Sequence, residues 1–343
     1  MSTDADIQFE VRGRTGFVTL NRPQALNALT LAMIEAMDAR LAAWATDPAV
    51  DVVVARGAGE RAFCAGGDVR AIWQAGKDGD PLTRDFFRAE YRLNRRIKVF
   101  AKPYVALIDG ITMGGGVGVS VHGSHRVATE RTLFAMPETR IGLFPDVGAS
   151  HFLPRLAGKL GLYLGLTGAR LRAADALYAG VATHYVDSAR LPELEATLAD
   201  GDVTLAGFTG DPGPAPLAEH RAAIDRCFAG TTVEGIVGTL QDEGGEWAAT
   251  ALKALRAASP TSLKVTVEEL RRGAKLEFDG SMSMEFRLSQ ACLARHDSYE
   301  GIRAAVIDKD NAPDWQPANL TDVSAELVAA HFAPLPDGDL TFD

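Results

Sequence analysis

The stretch GITMGGGVGVSVHGSHRVATE, residues 110–130, decides how this chain is read. It passes from β-branched residues into three consecutive glycines, Gly114 to Gly116, and on into small apolar residues. Glycine inside a regular element costs roughly 0.5–1 kcal/mol relative to alanine. A run of three implies a backbone turn that Cβ atoms forbid, or a very close neighbour. The phosphate-binding patterns do not fit. No Gly-Lys-Ser/Thr ending follows, and a dinucleotide fingerprint laid on Gly114, Gly116 and Val119 fails at its third glycine. The nucleophile elbow G-x-S-x-G is also absent. Ser120 and His122 are two residues apart, a spacing that does not face a pair on a helix.

What remains is the backbone N–H itself. A glycine just before a helix can offer its N–H, supported by the helix dipole, to an oxygen gaining negative charge. A second glycine turn, CAGGD at 64–68, follows a strand-like run. Two readings stand at this point: a two-donor oxyanion hole, or close packing of backbone against backbone. Cys64 adjoins the second turn, but no histidine lies near it in sequence, and a buried structural thiol is the ordinary role for such a cysteine.

Around these turns the first half alternates strands and helices. IQFEVRGRTGFVTLN (7–21) reads as a hairpin with Gly13 and Gly16 framing the turn. LTLAMIEAMDARLAAWATD (29–47) spaces Ile34, Met37, Leu41 and Trp44 as one helix face, with Thr30 as its N-cap. DVVVARG and YVALIDG are short apolar runs closed by glycine, as in buried strands; HRVAT and THYVD are shorter candidates. GDPGPAP at 210–216 breaks the texture, and helical signals dominate beyond it. We therefore expect an α/β core over 1–212 and a helical region over 213–343.

Composition narrows the function classes. The 343 residues are 47% hydrophobic and 23% charged, an ordinary globular balance. A net charge of −10 without a basic stripe argues against nucleic acid, while leaving room for local arginines that hold a phosphate. The three cysteines have neither disulfide-framework nor metal-site spacing, and the seven histidines show no ligand pattern, so no metal is expected. The acidic start MSTDADIQFE lacks a signal core, and no uncharged apolar run is long enough to span a bilayer. On these grounds no membrane association is expected, and a cytoplasmic location is.

LNRPQALNAL (20–29), RAFCAGGDV (61–69), the 110–130 stretch and FAMPETRIGLFPDVGASHFLPRL (134–156) together resemble the crotonase, or enoyl-CoA hydratase/isomerase, superfamily. FFRAEYRLN (86–94), SPTSLKVT (259–266), MEFRLSQACLARHD (284–297) and VIDKDNAPDWQPA (306–318) extend the resemblance toward its 3-hydroxyacyl-CoA hydrolase branch. It implies a crotonase-like spiral of repeated ββα units followed by a helical C-terminal region. It also implies that Gly67 and Gly115 supply an oxyanion hole, with Glu138 and Asp146 as catalytic acids. Glu90, Gly115, Glu138 and Asp146 would contact substrate. Hydratases of the superfamily carry two glutamates; here one is Glu138, and the other position holds Gly118.

From the residues alone Asp146 reads as the N-cap of a helix through VGASHFLPRL, where the helix N-terminus favours its ionised form. Glu90 reads as part of a solvated, charge-paired helix face. The resemblance moves both into the active site. The implied activity is hydrolysis of a short-chain 3-hydroxyacyl-CoA thioester, 3-hydroxyisobutyryl-CoA foremost, in valine catabolism. Glu138 would activate water or attack directly. No cofactor is implied, CoA being part of the substrate. Arg22 and Arg61 are candidates for its phosphates, and a homo-oligomer is left open. The alternatives are a hydratase or isomerase using Glu138 alone, and a non-catalytic acyl-CoA-binding homologue.

Overall fold

The computed structural model describes residues 5–342. Residues 1–4, which open the acidic N-terminus, lie outside them. The chain divides into two compact units: Met1–Asp68, Ala89–Ala135 and Arg170–Pro216 form the first, and Val69–Arg88, Met136–Ala169 and Leu217–Asp343 the second. The expected boundary at 212 is a single cut. The units are instead interleaved, and only the last crossing, after Pro216, falls near it.

Among the described residues the first unit holds nine strands: β1 (Ile7–Arg12), β2 (Thr15–Leu20), β3 (Val52–Gly57), β4 (Ala62–Cys64), β5 (Tyr104–Ile108), β6 (Ile111–Met113), β7 (His125–Ala128), β8 (Leu133–Ala135) and β9 (His184–Tyr185). One sheet runs β1-β2-β3-β5-β7-β9 and a smaller one β4-β6-β8. Among the strand pairs of these two sheets, β1–β2 is the antiparallel one; Thr15 pairs with Arg12 across the turn and with Val52 of the parallel neighbour. Each pass of the chain gives one strand to each sheet: β3 then β4, β5 then β6, β7 then β8. This is the repeating two-strand step of the expected spiral.

The corners of the spiral are tied to one another. Ile111 N–H donates to Arg61 O at 3.1 Å, and Leu133 N–H to Gly110 O at 3.0 Å. Gly110 turns this corner with φ +97°, and a Cβ there would stand 2.7 Å from Arg61 O. The Val52–Ala55 run is fully buried, as parallel strands covered on both faces must be. Phe17, Val54, Val105 and Val127 pack with Leu194 and Leu198 of helix Leu191–Ala199. Each such buried side chain contributes about 1.5–3 kcal/mol.

The expected cap on helix Leu31–Thr46 is present, Met33 N–H donating to Thr30 Oγ1 at 3.2 Å. Gly16 differs from its reading. It lies inside β2, and a Cβ there would meet the Trp44 ring at 2.7 Å, so it serves close packing rather than the turn.

Past Pro216 the described residues carry helices and no strand. Within the second unit, helix Pro260–Gly273 starts at an N-cap Ser259 with proline at its first turn. Its Val265 packs with Met284, Leu288 and Cys292 of helix Phe278–Leu293 and with Leu143 and Phe144. Among the described residues no helix is long and apolar enough to cross a membrane.

Candidate active site

In the first unit, β4 ends at Cys64 and the chain turns through Ala65, Gly66 and Gly67. Leu29 bridges to Gly67 in parallel fashion, Leu29 N–H donating to Gly66 O at 2.9 Å and Asp68 N–H to Leu29 O at 2.8 Å. N–H groups alternate sides along a strand, so that of Gly67 faces away from Leu29. Gly114 follows β6 with φ 48° and ψ −124°, a conformation closed to residues with a Cβ. It launches the short helix Gly115–Gly118, whose first N–H groups have no acceptor within the helix.

The two turns lie side by side. A Cβ on Gly115 would stand 3.3 Å from Gly67 N and 3.2 Å from Leu29 Cδ1, and would run into Glu90 Oε1. A Cβ on Gly116 would fall on the Cys64 carbonyl. The close-packing reading holds for Gly116, and Gly115 lies in the turn beside Gly67. Glu90, on helix Leu82–Lys98, is 2% exposed against this turn, not on a solvated face.

Several sequence candidates are absorbed elsewhere. Cys64 is fully buried and its thiol is pushed up to about 12, chiefly by burial, which removes it as a nucleophile. Ser120 Oγ donates to Gly116 O at 2.7 Å, a bond back onto its own turn. Arg22 donates to Asp68 Oδ2 at 3.1 Å and to Ala28 O at 2.7 Å; Arg61 is exposed.

In the second unit, Glu138 opens the 3-10 helix Glu138–Ile141 and is 6% exposed; Asp146 is 9% exposed. Glu138 Oε2 has no hydrogen-bond partner among the described residues. Burial holds the Glu138 carboxyl well above the usual range, and the charge of Asp146 adds to it. A carboxyl so raised is a stronger base when ionised.

Asp146 is not the helix cap expected from the sequence. The helix spans Ala149–Phe152 and its cap residue is Gly148, with no side-chain cap bond. Val147 intervenes with φ +54° and Gly148 with φ +90°. This left-handed pair delays the helix by two residues. For a β-branched residue that conformation costs about 1–3 kcal/mol and persists only where its surroundings enforce it.

Sequence reasoning missed two residues here. Glu269 and Glu285 are both 0% exposed. Neither Glu269 oxygen has a hydrogen-bond partner among the described residues. Burial raises its carboxyl strongly, and the charges of Glu285, Asp146 and Glu138 add to that. Glu285 accepts from Gly148 N–H at 2.7 Å, from Ser150 N–H at 3.0 Å and from the Ser150 hydroxyl. Burial carries it up to about 8 against those donors. A signal existed. Each glutamate sits on the buried face of its helix, Glu269 beside Leu270 and Glu285 between Met282 and Leu288.

The chain matches the enoyl-CoA hydratase/isomerase family over residues 15–332. The mitochondrial 3-hydroxyisobutyryl-CoA hydrolase of Gallus gallus is 50% identical over 349 residues, covering 98% of this chain and 91% of the relative. That of Homo sapiens is 48% identical, covering 99% and 92%. Two solved structures are similar at 44% identity. An enoyl-CoA hydratase from Rhodobacter sphaeroides 2.4.1 has a TM-score of 0.94, covering 98% of this chain and 100% of that one. A carnitinyl-CoA dehydratase from Mycobacterium thermoresistibile has 0.95, covering 99% of each. The relatives are named as mitochondrial, which overturns the cytoplasmic expectation. Scattered free cysteines mark a reducing environment, not which reducing compartment it is. The spiral of paired strands, with its glycine turns in place, thus sits inside a match that spans most of the sequence, and the chain belongs to the enoyl-CoA hydratase/isomerase family.

Proposed function

We propose that the protein hydrolyses a short-chain 3-hydroxyacyl-CoA thioester, 3-hydroxyisobutyryl-CoA foremost, to the 3-hydroxy acid and free CoA, a reaction of valine catabolism. The observation that carries this reading is the buried pair Glu138 and Asp146, together with Gly118 where the superfamily's hydratases hold a second glutamate. Without that partner, placing water across a double bond lacks one of its two acids. The names of relatives at 48–50% identity support the same reaction.

In the proposed mechanism the Gly67 and Gly115 N–H groups hold the thioester oxygen as it gains charge. Loss of one such donor costs about 10²–10³ in turnover elsewhere. Glu138 takes a proton from water, whose oxygen bonds to the carbonyl carbon. The C–S bond then breaks, and the CoA thiolate recovers the proton from Glu138. In the variant route Glu138 attacks first, giving an anhydride that water opens. Asp146 accepts a hydrogen bond from the 3-hydroxyl, so an analogue without that group loses the interaction and is bound less well. Glu90 borders the acyl group. Water is the only co-reactant the scheme requires, with no metal or cofactor.

The name of the Rhodobacter structure favours one competing reading, hydration by Glu138 alone. A panel of CoA thioesters separates the two when thiol release and enoyl absorbance are followed together. Thiol release from 3-hydroxyacyl substrates supports hydrolysis; a change in enoyl absorbance without free thiol refutes it. Binding with neither signal would indicate a non-catalytic homologue.

A further inference from the structure

Asp146 sits at the start of a strained turn, and one residue far away in sequence holds that turn. Glu285 of helix Phe278–Leu293 accepts three hydrogen bonds from it: Gly148 N–H at 2.7 Å, Ser150 N–H at 3.0 Å, and the Ser150 hydroxyl. Between Asp146 and these donors lies Val147, a β-branched residue at φ +54°. Residues in that region relax unless their neighbours hold them. The same helix also fixes the approach, since its Met284 and Leu288 cluster with Leu143 and Phe144. The backbone on both sides of Asp146 is thus referred to one helix. Ala149 N–H closes the turn on Asp146 O at 3.0 Å.

We infer that Glu285 is a positioning residue for the hydrolysis: by clamping Gly148 and Ser150 it sets the direction of the Asp146 carboxylate. Glu285 touches no reacting atom in this scheme and works through Asp146 alone. The inference rests on the hydrolase reading and adds to it a residue on a separate helix. Its carboxyl group presents two oxygens to three donors, a fit that neither glutamine nor a hydrophobic residue reproduces.

The test is a double-mutant cycle on the full chain, with 3-hydroxyisobutyryl-CoA as substrate and thiol release as readout. Glu285→Ala should lower kcat by about 10²-fold with KM little changed, the scale expected when a reacting group is misplaced by about 1 Å. Glu285→Gln, which keeps one accepting oxygen, should recover part of the loss. In an Asp146→Asn background Glu285→Ala should cost almost nothing further, because the group it positions is already gone. Losses that multiply in the double variant overturn the inference, since a structural role would act on both backgrounds alike.

If Glu285→Ala does not fold, Ser150→Ala removes one donor from the clamp. It should slow the wild type several-fold and leave Asp146→Asn unaffected; an equal loss in both backgrounds again overturns the inference. Failure of the hydrolase reading looks different. There the wild type releases no thiol, or Asp146→Asn alone is unimpaired, and the role of Glu285 falls with that reading.

Discussion

Gly115 lies so close to Gly67 that a Cβ on Gly115 would stand 3.3 Å from the Gly67 nitrogen. The same Cβ would run into Glu90 Oε1, the end of a side chain that can turn aside. Gly115→Ala should therefore fold while crowding the proposed thioester site. Turnover is expected to fall by about 10²–10³. Circular dichroism and thiol release on the same sample decide the matter. A folded variant with retained turnover removes Gly115 from the donor pair.

Replacing Glu138 with glutamine keeps its shape and removes its basicity. Thiol release should drop by at least about 10²-fold, while calorimetry shows a non-hydrolysable thioester analogue still binding. Turnover within tenfold of wild type would end its role as base or nucleophile. Single turnover of the wild type in ¹⁸O-water tests the covalent route. Label appearing in Glu138 marks an anhydride opened at the glutamyl carbonyl.

Gly148 holds the cap position, so Asp146→Asn changes the proposed active-site acid without removing a helix cap. The substitution should leave the melting temperature nearly unchanged and reduce hydrolysis of 3-hydroxyisobutyryl-CoA by about 10²-fold. Preference over the analogue lacking the hydroxyl should narrow in the same variant. Unchanged selectivity would show that Asp146 does not read the 3-hydroxyl.

The buried acids predict how stability depends on pH. Burial holds Glu138, Glu269 and Glu285 above the ordinary glutamate value of 4.5, Glu285 up to about 8. Their protonated forms are favoured in the fold, so the stability they contribute is fully present below 4.5 and is lost as pH rises. For Glu285 that loss runs through about 8. Glu269→Gln removes one such group without changing its shape. It should raise the melting temperature at pH 8 by about 2 °C or more and flatten its fall with pH. An unaltered slope would mean that Glu269 is already solvated or paired.

Much of this arrangement was legible in the sequence, and the exceptions have physical causes. The hairpin, the Val52–Ala55 strand and the Thr30 cap depend on near neighbours, so local pattern sufficed. The glycine turns were legible because three adjacent glycines are tolerated almost only where backbone must turn sharply or pass very close to a neighbour. Glu269 and Glu285 were not, since a glutamate in an amphipathic helix normally marks the wet face. What makes Glu285 different is Gly148, 137 residues away. Asp146 was misread as a cap because nothing in VGAS announces that valine, not glycine alone, turns left-handed. The interleaving of the two units was missed for the same reason, being a matter of long-range contact.

The glycine triplet constrains how this protein can change. Each member is constrained differently: Gly114 by its own dihedral angles, Gly116 by the Cys64 carbonyl and Gly115 by the turnover its position is proposed to serve. No single compensating substitution relieves all three. Gly238, inside helix Val233–Glu243, is the opposite case. A methyl group added there would have nothing within 4 Å, and Gly238→Ala should stabilise the fold by about 0.5–1 kcal/mol. A saturation library over 114–116, selected for turnover, should return the parent triplet and little else. The valines of the neighbouring strands can drift toward other apolar residues at a cost below about 1.5 kcal/mol when volume is conserved. Evolution can rewrite the core behind these turns far more freely than the three residues that carry no side chain.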